Sequence, residues 1–245
     1  MGRGAMAAAV VGLLAAAGVV AVAQKPCSRA LDRWVARRAL ELAQGRQEWL
    51  NTWLGVPIIQ FPEDLWTYQL LIERTRPDFV IETGTCRGGL SLYLAGVLEA
   101  LGGEGKVITV DLNPVHWNET LRTANVRPGL LERIIFLEGD SVSEEVLDQI
   151  AARVEGKRVL VILDSLHTKG HVLRELELYS AFVAPSGYIV VNDTHLDRVS
   201  ATRHQPGPKA AVLEFLKGRG DFELDHSVDR FMISCFHSGI LRRKR

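Results

Sequence analysis

The 245-residue chain has little cysteine and no excess of charge of either sign. Its three cysteines, Cys27, Cys86 and Cys235, are too few and too scattered for a disulfide framework or a zinc knuckle, and a reducing compartment is the simplest reading. Twenty-nine basic residues balance twenty-nine acidic ones, so no global field draws the chain to nucleic acid. No internal repeat or low-complexity linker divides residues 57–245. What remains is ordinary globular usage, 47% hydrophobic and 24% charged, which excludes disorder, collagen and a polytopic membrane protein.

One long uncharged run stands apart. From Ala5 to Ala23 the side chains are Ala, Val, Leu, Gly and one Met, a length that as helix reaches about 28 Å, enough to cross a hydrocarbon core. Arg3 precedes the run, and Lys25, Arg29, Arg33, Arg37 and Arg38 follow it, so the positive-inside rule predicts a membrane anchor with the body facing the cytoplasm. Ala21-Val22-Ala23 also fits a signal-peptide cleavage site, which would make the chain secreted; a soluble cytoplasmic chain with a loosely ordered tail is the third reading. Residues 1–26 are therefore read as a separate segment. Residues 27–56 are read as one or two amphipathic helices, on the helical recurrence of Leu31, Trp34, Val35, Leu42, Trp49 and Leu50.

From residue 57 onward the pattern alternates. Apolar runs at 79–83, 106–111, 133–138, 158–164 and 187–192 are separated by helical stretches at 90–101, 115–125, 143–154 and 171–182. Runs without polar alternation are strands buried on both faces of a parallel sheet. A helix over 208–217 and two strands near 222–225 and 230–236, close enough to pair antiparallel, complete the domain. The fold class is α/β, a doubly wound and mostly parallel seven-stranded sheet with an antiparallel finish, and ligands bind such sheets at the carboxyl ends of the strands.

Candidate site residues gather at those ends. Glu82-Thr-Gly84-Thr85-Cys-Arg-Gly88-Gly89 joins the first of these strands to its helix, where glycines admit a ligand and the helix N-terminus offers free N–H groups. The spacing is not the Gly-x-Gly-x-x-Gly of a dinucleotide site, and the lysine of a phosphate loop is missing. Glu82 would repel a pyrophosphate but suits a cation, which favours S-adenosylmethionine over a nicotinamide dinucleotide. Asp111 ends the next strand, placed to accept from ribose hydroxyls; Asp140 and Ser141 follow the third, at the adenine edge or as a helix cap. Asp164 ends the fourth and Asn192-Asp193 the fifth, three oxygen donors on neighbouring strands that suit a hard cation such as Mg²⁺. His167, beside them, is the candidate general base, with His171, His195 and Lys169 as nearby rivals. Trp66, Tyr68, Trp117 and residues 195–208 are candidate pocket walls.

With these residues in view, the chain resembles the cephalosporin hydroxylase family, which overlaps the rhamnosyl and macrolide-sugar O-methyltransferases. The strings that carry the resemblance are Trp53-Leu-Gly-Val-Pro57, Gln60-Phe-Pro-Glu-Asp-Leu-Trp66, Val80-Ile-Glu-Thr-Gly84, Val161-Ile-Leu-Asp-Ser-Leu-His-Thr168, His171-Val-Leu-Arg-Glu-Leu-Glu177, Val190-Val-Asn-Asp-Thr194 and Gly207-Pro-Lys-Ala-Ala-Val-Leu-Glu-Phe-Leu216. The resemblance implies a Rossmann-like methyltransferase fold using S-adenosylmethionine and a divalent metal, held by Asp164, Asn192 and Asp193 with His167 as base. The family pattern has Glu where this chain has Asn192; the amide keeps an oxygen donor but removes one charge. A sugar or other small molecule with vicinal hydroxyls is the implied acceptor. Two rival readings stand beside it: an oxidoreductase or hydroxylase, and a non-catalytic, membrane-tethered scaffold that keeps the cofactor pocket.

Overall fold

The computed structural model describes residue 34 and residues 51–198, 206–231 and 233–245. The uncharged run at 5–23 and the amphipathic stretch up to residue 50, apart from Trp34, lie outside the described residues. Among the described residues no helix is long and apolar enough to cross a membrane. The expectation of a membrane-anchored protein is corrected accordingly.

The described chain opens with a hairpin, β1 (Asn51–Trp53) and β2 (Val56–Ile58), turned by Leu54 and Gly55, both at positive φ. The amphipathic helix drawn from sequence to residue 56 thus gives way to strand by residue 51. Next comes α1 (Pro62–Thr75), an element the apolar pattern does not reveal. Pro62 sits in its first turn, where the missing N–H is harmless, and Glu63 and Asp64 face the positive end of the helix dipole.

The alternating body then runs β3 (Phe79–Thr83), α2 (Gly89–Ala100), β4 (Lys106–Asp111), α3 (Val115–Thr123), α4 (Pro128–Leu131), β5 (Ile134–Glu138), α5 (Glu144–Val154), β6 (Val159–Leu163), α6 (Lys169–Tyr179) and β7 (Tyr188–Val191). It ends with α7 (Pro208–Gly218), β8 (Phe222–Leu224) and β9 (Ile240–Arg243). The seven strands lie in the order β5-β4-β3-β6-β7-β9-β8, parallel from β5 to β7 and antiparallel at β9. The chain reverses its direction across the sheet between β3 and β6, which is where ligands bind in open α/β sheets.

The last strand is displaced from its expected place. It forms at Ile240–Arg243 and not at 230–236. Ile240 and Leu241 are buried between β7 and β8, whereas the backbone of Cys235 is committed to polar partners elsewhere.

Strand residues alternate between two cores. Val80, Leu160, Ile162 and Val190 pack with the hairpin, α1 and α2, while Ile81, Val161, Leu163 and Ile189 pack with α5, α6 and α7. Both faces are covered, as a parallel sheet requires. The ladder continues past the strand ends: Gly84 N–H donates to the Val110 carbonyl, Gly139 to Asp111, Asp164 to Thr83 and Asn192 to Leu163, at 2.8–3.0 Å. These four bonds make a continuous backbone shelf along the carboxyl rim.

Candidate active site

The glycine-rich loop is shaped by close approaches within the protein. Gly84 has φ +89°, and a Cβ there would lie 2.2 Å from the Asp164 carbonyl oxygen. Gly88, the N-cap of α2 at φ +78°, lies under the indole of Trp117, 2.4 Å from where its Cβ would be. Trp117 is buried and stacked on Phe136, with ring centroids 6.2 Å apart. The glycines therefore bring the loop against the β6 tip on one side and an aromatic wall on the other, with the α2 N-terminus facing the rim.

Asp111 ties this loop to β4. Its Oδ2 accepts from the Cys86 N–H at 2.9 Å and its Oδ1 from the Asn113 N–H at 3.1 Å. A carboxylate has about four acceptor sites, so both oxygens keep capacity for ribose hydroxyls. Glu82 lies deeper, 1% exposed, accepting from the Ser91 hydroxyl on α2. Burial pushes its carboxyl up to about 7, against the hydrogen bonds of Ser91 and Thr109. Thr85 is likewise buried, its hydroxyl 2.7 Å from that of Thr109. Glu82 and Thr85 thus support the loop from beneath.

At the β5 tip Asp140 is exposed and accepts from the Val142 N–H, while Ser143 caps α5 by accepting from the Val146 N–H. Ser141 is turned inward: its hydroxyl donates to Glu175 Oε1 at 2.7 Å, as does that of Ser165. His171 Nε2 lies 3.2 Å and 3.1 Å from those two hydroxyls, and the Glu175 carboxylate holds its imidazole above the ordinary value. This cluster on α6 fastens the β5 and β6 tips together.

The metal candidates converge. One donor atom from each of Asp164, His167 and Asp193 lies within 4.8 Å of the others, with His167 Nε2 3.1 Å from Asp193 Oδ2. Burial, and then the neighbouring Asp193 charge, raise the Asp164 carboxyl well above the usual range. Asp193 holds φ +56°, the left-handed conformation that non-glycine residues seldom adopt and that recurs at functional positions. Asn192, between these tips, is buried; its Oδ1 accepts from the Tyr68 hydroxyl at 2.7 Å, and its Nδ2 is buried without a hydrogen-bond partner.

Of the rival bases, His195 is 4% exposed with Nδ1 donating to the Cys235 carbonyl at 3.0 Å, Lys169 pairs with Glu214 on α7, and His171 belongs to the Glu175 cluster. Among the pocket candidates, Trp66 is exposed and Tyr68 is fully buried behind Asn192. Residues 199–205 lie outside the described residues.

Two participants, both within the Gln60–Trp66 string, have no role that the sequence assigns. Gln60, after β2, donates from Nε2 to Asp164 Oδ2 at 3.0 Å. Asp64 on α1 accepts from the Cys235 N–H at 2.9 Å, and burial pushes its carboxyl up to about 7. The Cys235 carbonyl in turn accepts from the His195 N–H and side chain. The partners lie 104 and 171 residues apart in the chain, which no local motif reports.

Residues 47–244 match the family described as Rhamnosyl O-methyltransferase/CmcI. The chain is 30% identical over 200 residues to a rhamnosyl O-methyltransferase of Mycobacterium leprae, covering 79% of this chain and 83% of that protein. It is 28% identical over 166 residues to one of Mycobacterium tuberculosis, covering 66% and 64%. A solved CmcI structure with Mg and SAM shares the fold at a TM-score of 0.61 and 16% identity, over 80% of this chain and 77% of that one. The O-methyltransferase TomG of Streptomyces achromogenes, in complex with SAM, shares it at 0.52 and 17%, over 89% and 87%. The chain belongs to the rhamnosyl O-methyltransferase/CmcI family and is an S-adenosylmethionine-dependent O-methyltransferase.

Proposed function

We propose that the chain methylates one hydroxyl of a sugar or other vicinal-diol small molecule, with Mg²⁺ or a similar divalent cation held by Asp164, Asn192 and Asp193. The observation that carries this reading is the approach of Asp164, Asp193 and His167 to within 4.8 Å on adjoining strand tips, beside the glycine-rich loop. The donors fit a hard cation. Burial and the neighbouring Asp193 charge make Asp164 costly to ionise, a cost that positive charge relieves, and an Asn192 amide turned over would present its Oδ1 in place of the unpartnered Nδ2. The amide is at ease with either orientation, because the Tyr68 hydroxyl can donate to Oδ1 or accept from Nδ2.

Bound S-adenosylmethionine supplies an electrophilic methyl group, and a divalent cation supplies charge that acidifies and orients the acceptor hydroxyls. Asp111 would hold the ribose and Asp140 the adenine edge, on loops held by Glu82, Thr85, Gly84, Gly88 and Ser141. His167 would take the proton of the attacking hydroxyl as the carbon–sulfur bond breaks and the carbon–oxygen bond forms. Asp193, 3.1 Å from His167, stabilises the imidazolium produced.

The test is transfer of labelled methyl from S-adenosylmethionine to a panel of sugars and catechols, before and after chelation. The expected result is turnover that falls at least tenfold in chelator and returns with Mg²⁺. Undiminished turnover in chelator overturns the metal reading.

A further inference from the structure

Among the buried polar side chains that the mechanism above leaves unused, Gln60 is the one bonded to Asp164. Gln60 is 8% exposed, its Nε2 bonds Asp164 Oδ2 at 3.0 Å, and its Oε1 is buried with no hydrogen-bond partner. Turning the carboxamide over would set Oε1 against a carboxylate oxygen, so the observed orientation is the one that electrostatics allows. A residue that contributes one bond to a candidate ligand and leaves its other polar atom unsatisfied is poorly explained as core filling.

The chain goes to some length to put Gln60 there. Asn51 Nδ2 donates to the Gln60 carbonyl at 3.1 Å, closing the hairpin onto the residue that follows it. Trp53 packs edge-on to Tyr93, with centroids 5.1 Å apart, and the Tyr93 hydroxyl donates to the Leu65 carbonyl at 2.7 Å. A Cβ on Gly89 would lie 2.1 Å from the Pro57 carbonyl, so hairpin and α2 meet backbone to backbone. The hairpin therefore rests on the helix that follows the cofactor loop and reaches across to the tip of β6.

From this geometry we infer that Gln60 is a positioning residue for the metal site, clamping Oδ2 of Asp164 so that Oδ1 is left for the divalent cation. The inference rests on the function proposed above. A donor behind a ligating carboxylate fixes its rotamer and lowers the entropy lost on coordination, and removal of such partners typically weakens metal binding by about 10- to 100-fold.

The experiment reads metal binding without turnover. Mn²⁺ is titrated into the full chain, free of cofactor and acceptor, and followed by electron paramagnetic resonance, with S-adenosylhomocysteine affinity measured alongside. Gln60→Met, similar in shape but without a donor, is expected to weaken Mn²⁺ at least tenfold while S-adenosylhomocysteine affinity stays within twofold. A Mn²⁺ loss below tenfold overturns the inference. If Gln60→Met also loses S-adenosylhomocysteine or its cooperative melting, Gln60→His, which keeps an N–H at similar reach, decides. Mn²⁺ affinity within threefold of the parent then supports the clamp, and a larger loss overturns it. Failure of the parent chain itself to bind Mn²⁺ removes the proposed metal site and, with it, the clamp.

Discussion

Replacing Gly84 by alanine tests how the cofactor loop and the β6 tip are joined. The added Cβ would lie 2.2 Å from the Asp164 carbonyl oxygen and 2.7 Å from its carbon, main-chain atoms of a residue whose N–H is held in the rim ladder. Alanine at φ +89° carries a left-handed penalty of about 1–2 kcal/mol. Forcing the tips apart adds about 1–3 kcal/mol, the usual range for overpacking. The sum, about 2–5 kcal/mol, lowers the melting temperature by roughly 4–20 °C at about 2–4 °C per kcal/mol for a domain of this size. Gly102→Ala is the control, since φ is +76° there but nothing lies within 4 Å of the added carbon. Its cost is the backbone part alone, about 1–2 kcal/mol. The assay is differential scanning calorimetry of both variants, with Mn²⁺ titration to detect a displaced Asp164. Equal destabilisation by the two substitutions would refute the argument that Gly84 is required by contact with the neighbouring tip.

Three further outcomes are expected. His167→Ala should lower turnover by about 10²- to 10⁴-fold, while S-adenosylhomocysteine affinity by calorimetry stays within a few fold; a matching loss of affinity would assign the histidine to binding. Tyr68→Phe deprives buried Asn192 of its donor and should cost about 1–3 kcal/mol in urea unfolding, with an unchanged midpoint contradicting the bond. Because burial raises the Glu82 carboxyl from 4.5 to about 7, the folded chain holds a proton that the unfolded chain releases. Its contribution to stability is complete below pH 4.5 and is lost as pH climbs toward 7. Glu82→Gln should therefore reduce the pH dependence of the unfolding free energy across that window, leaving the share of Asp64, and an unaltered slope would place the proton elsewhere.

The parallel body was legible in the sequence because its central strands are buried on both faces. Val159 to Leu163 shows no polar residue at all, and the first charge, Asp164, marks where the strand leaves the core. The same rule located Asp111, Asp140 and Asp193 at their rims. It failed where burial and polarity part company. Helix α1 buries Asp64 and Thr67 along with Leu71 and Ile72, so its apolar stripe is broken and the helix passes unnoticed. The apolar letters at 231–236 imitate a strand, yet Cys235 spends its backbone on Asp64 and His195, and the edge goes to Ile240 and Leu241. The contacts of Gln60 with Asp164 and of Tyr68 with Asn192 join side chains more than a hundred residues apart, which local sequence does not reveal.

The backbone shelf along the rim has an evolutionary consequence. The Asp164 N–H to Thr83 carbonyl and Asn192 N–H to Leu163 carbonyl bonds run through main-chain atoms, so a carboxylate and an amide hang from the same scaffold at these two tips. Selection can in this way retune the charge of the rim without re-pairing the strands, while burial and the Tyr68 bond keep residue 192 answerable to the core beneath it.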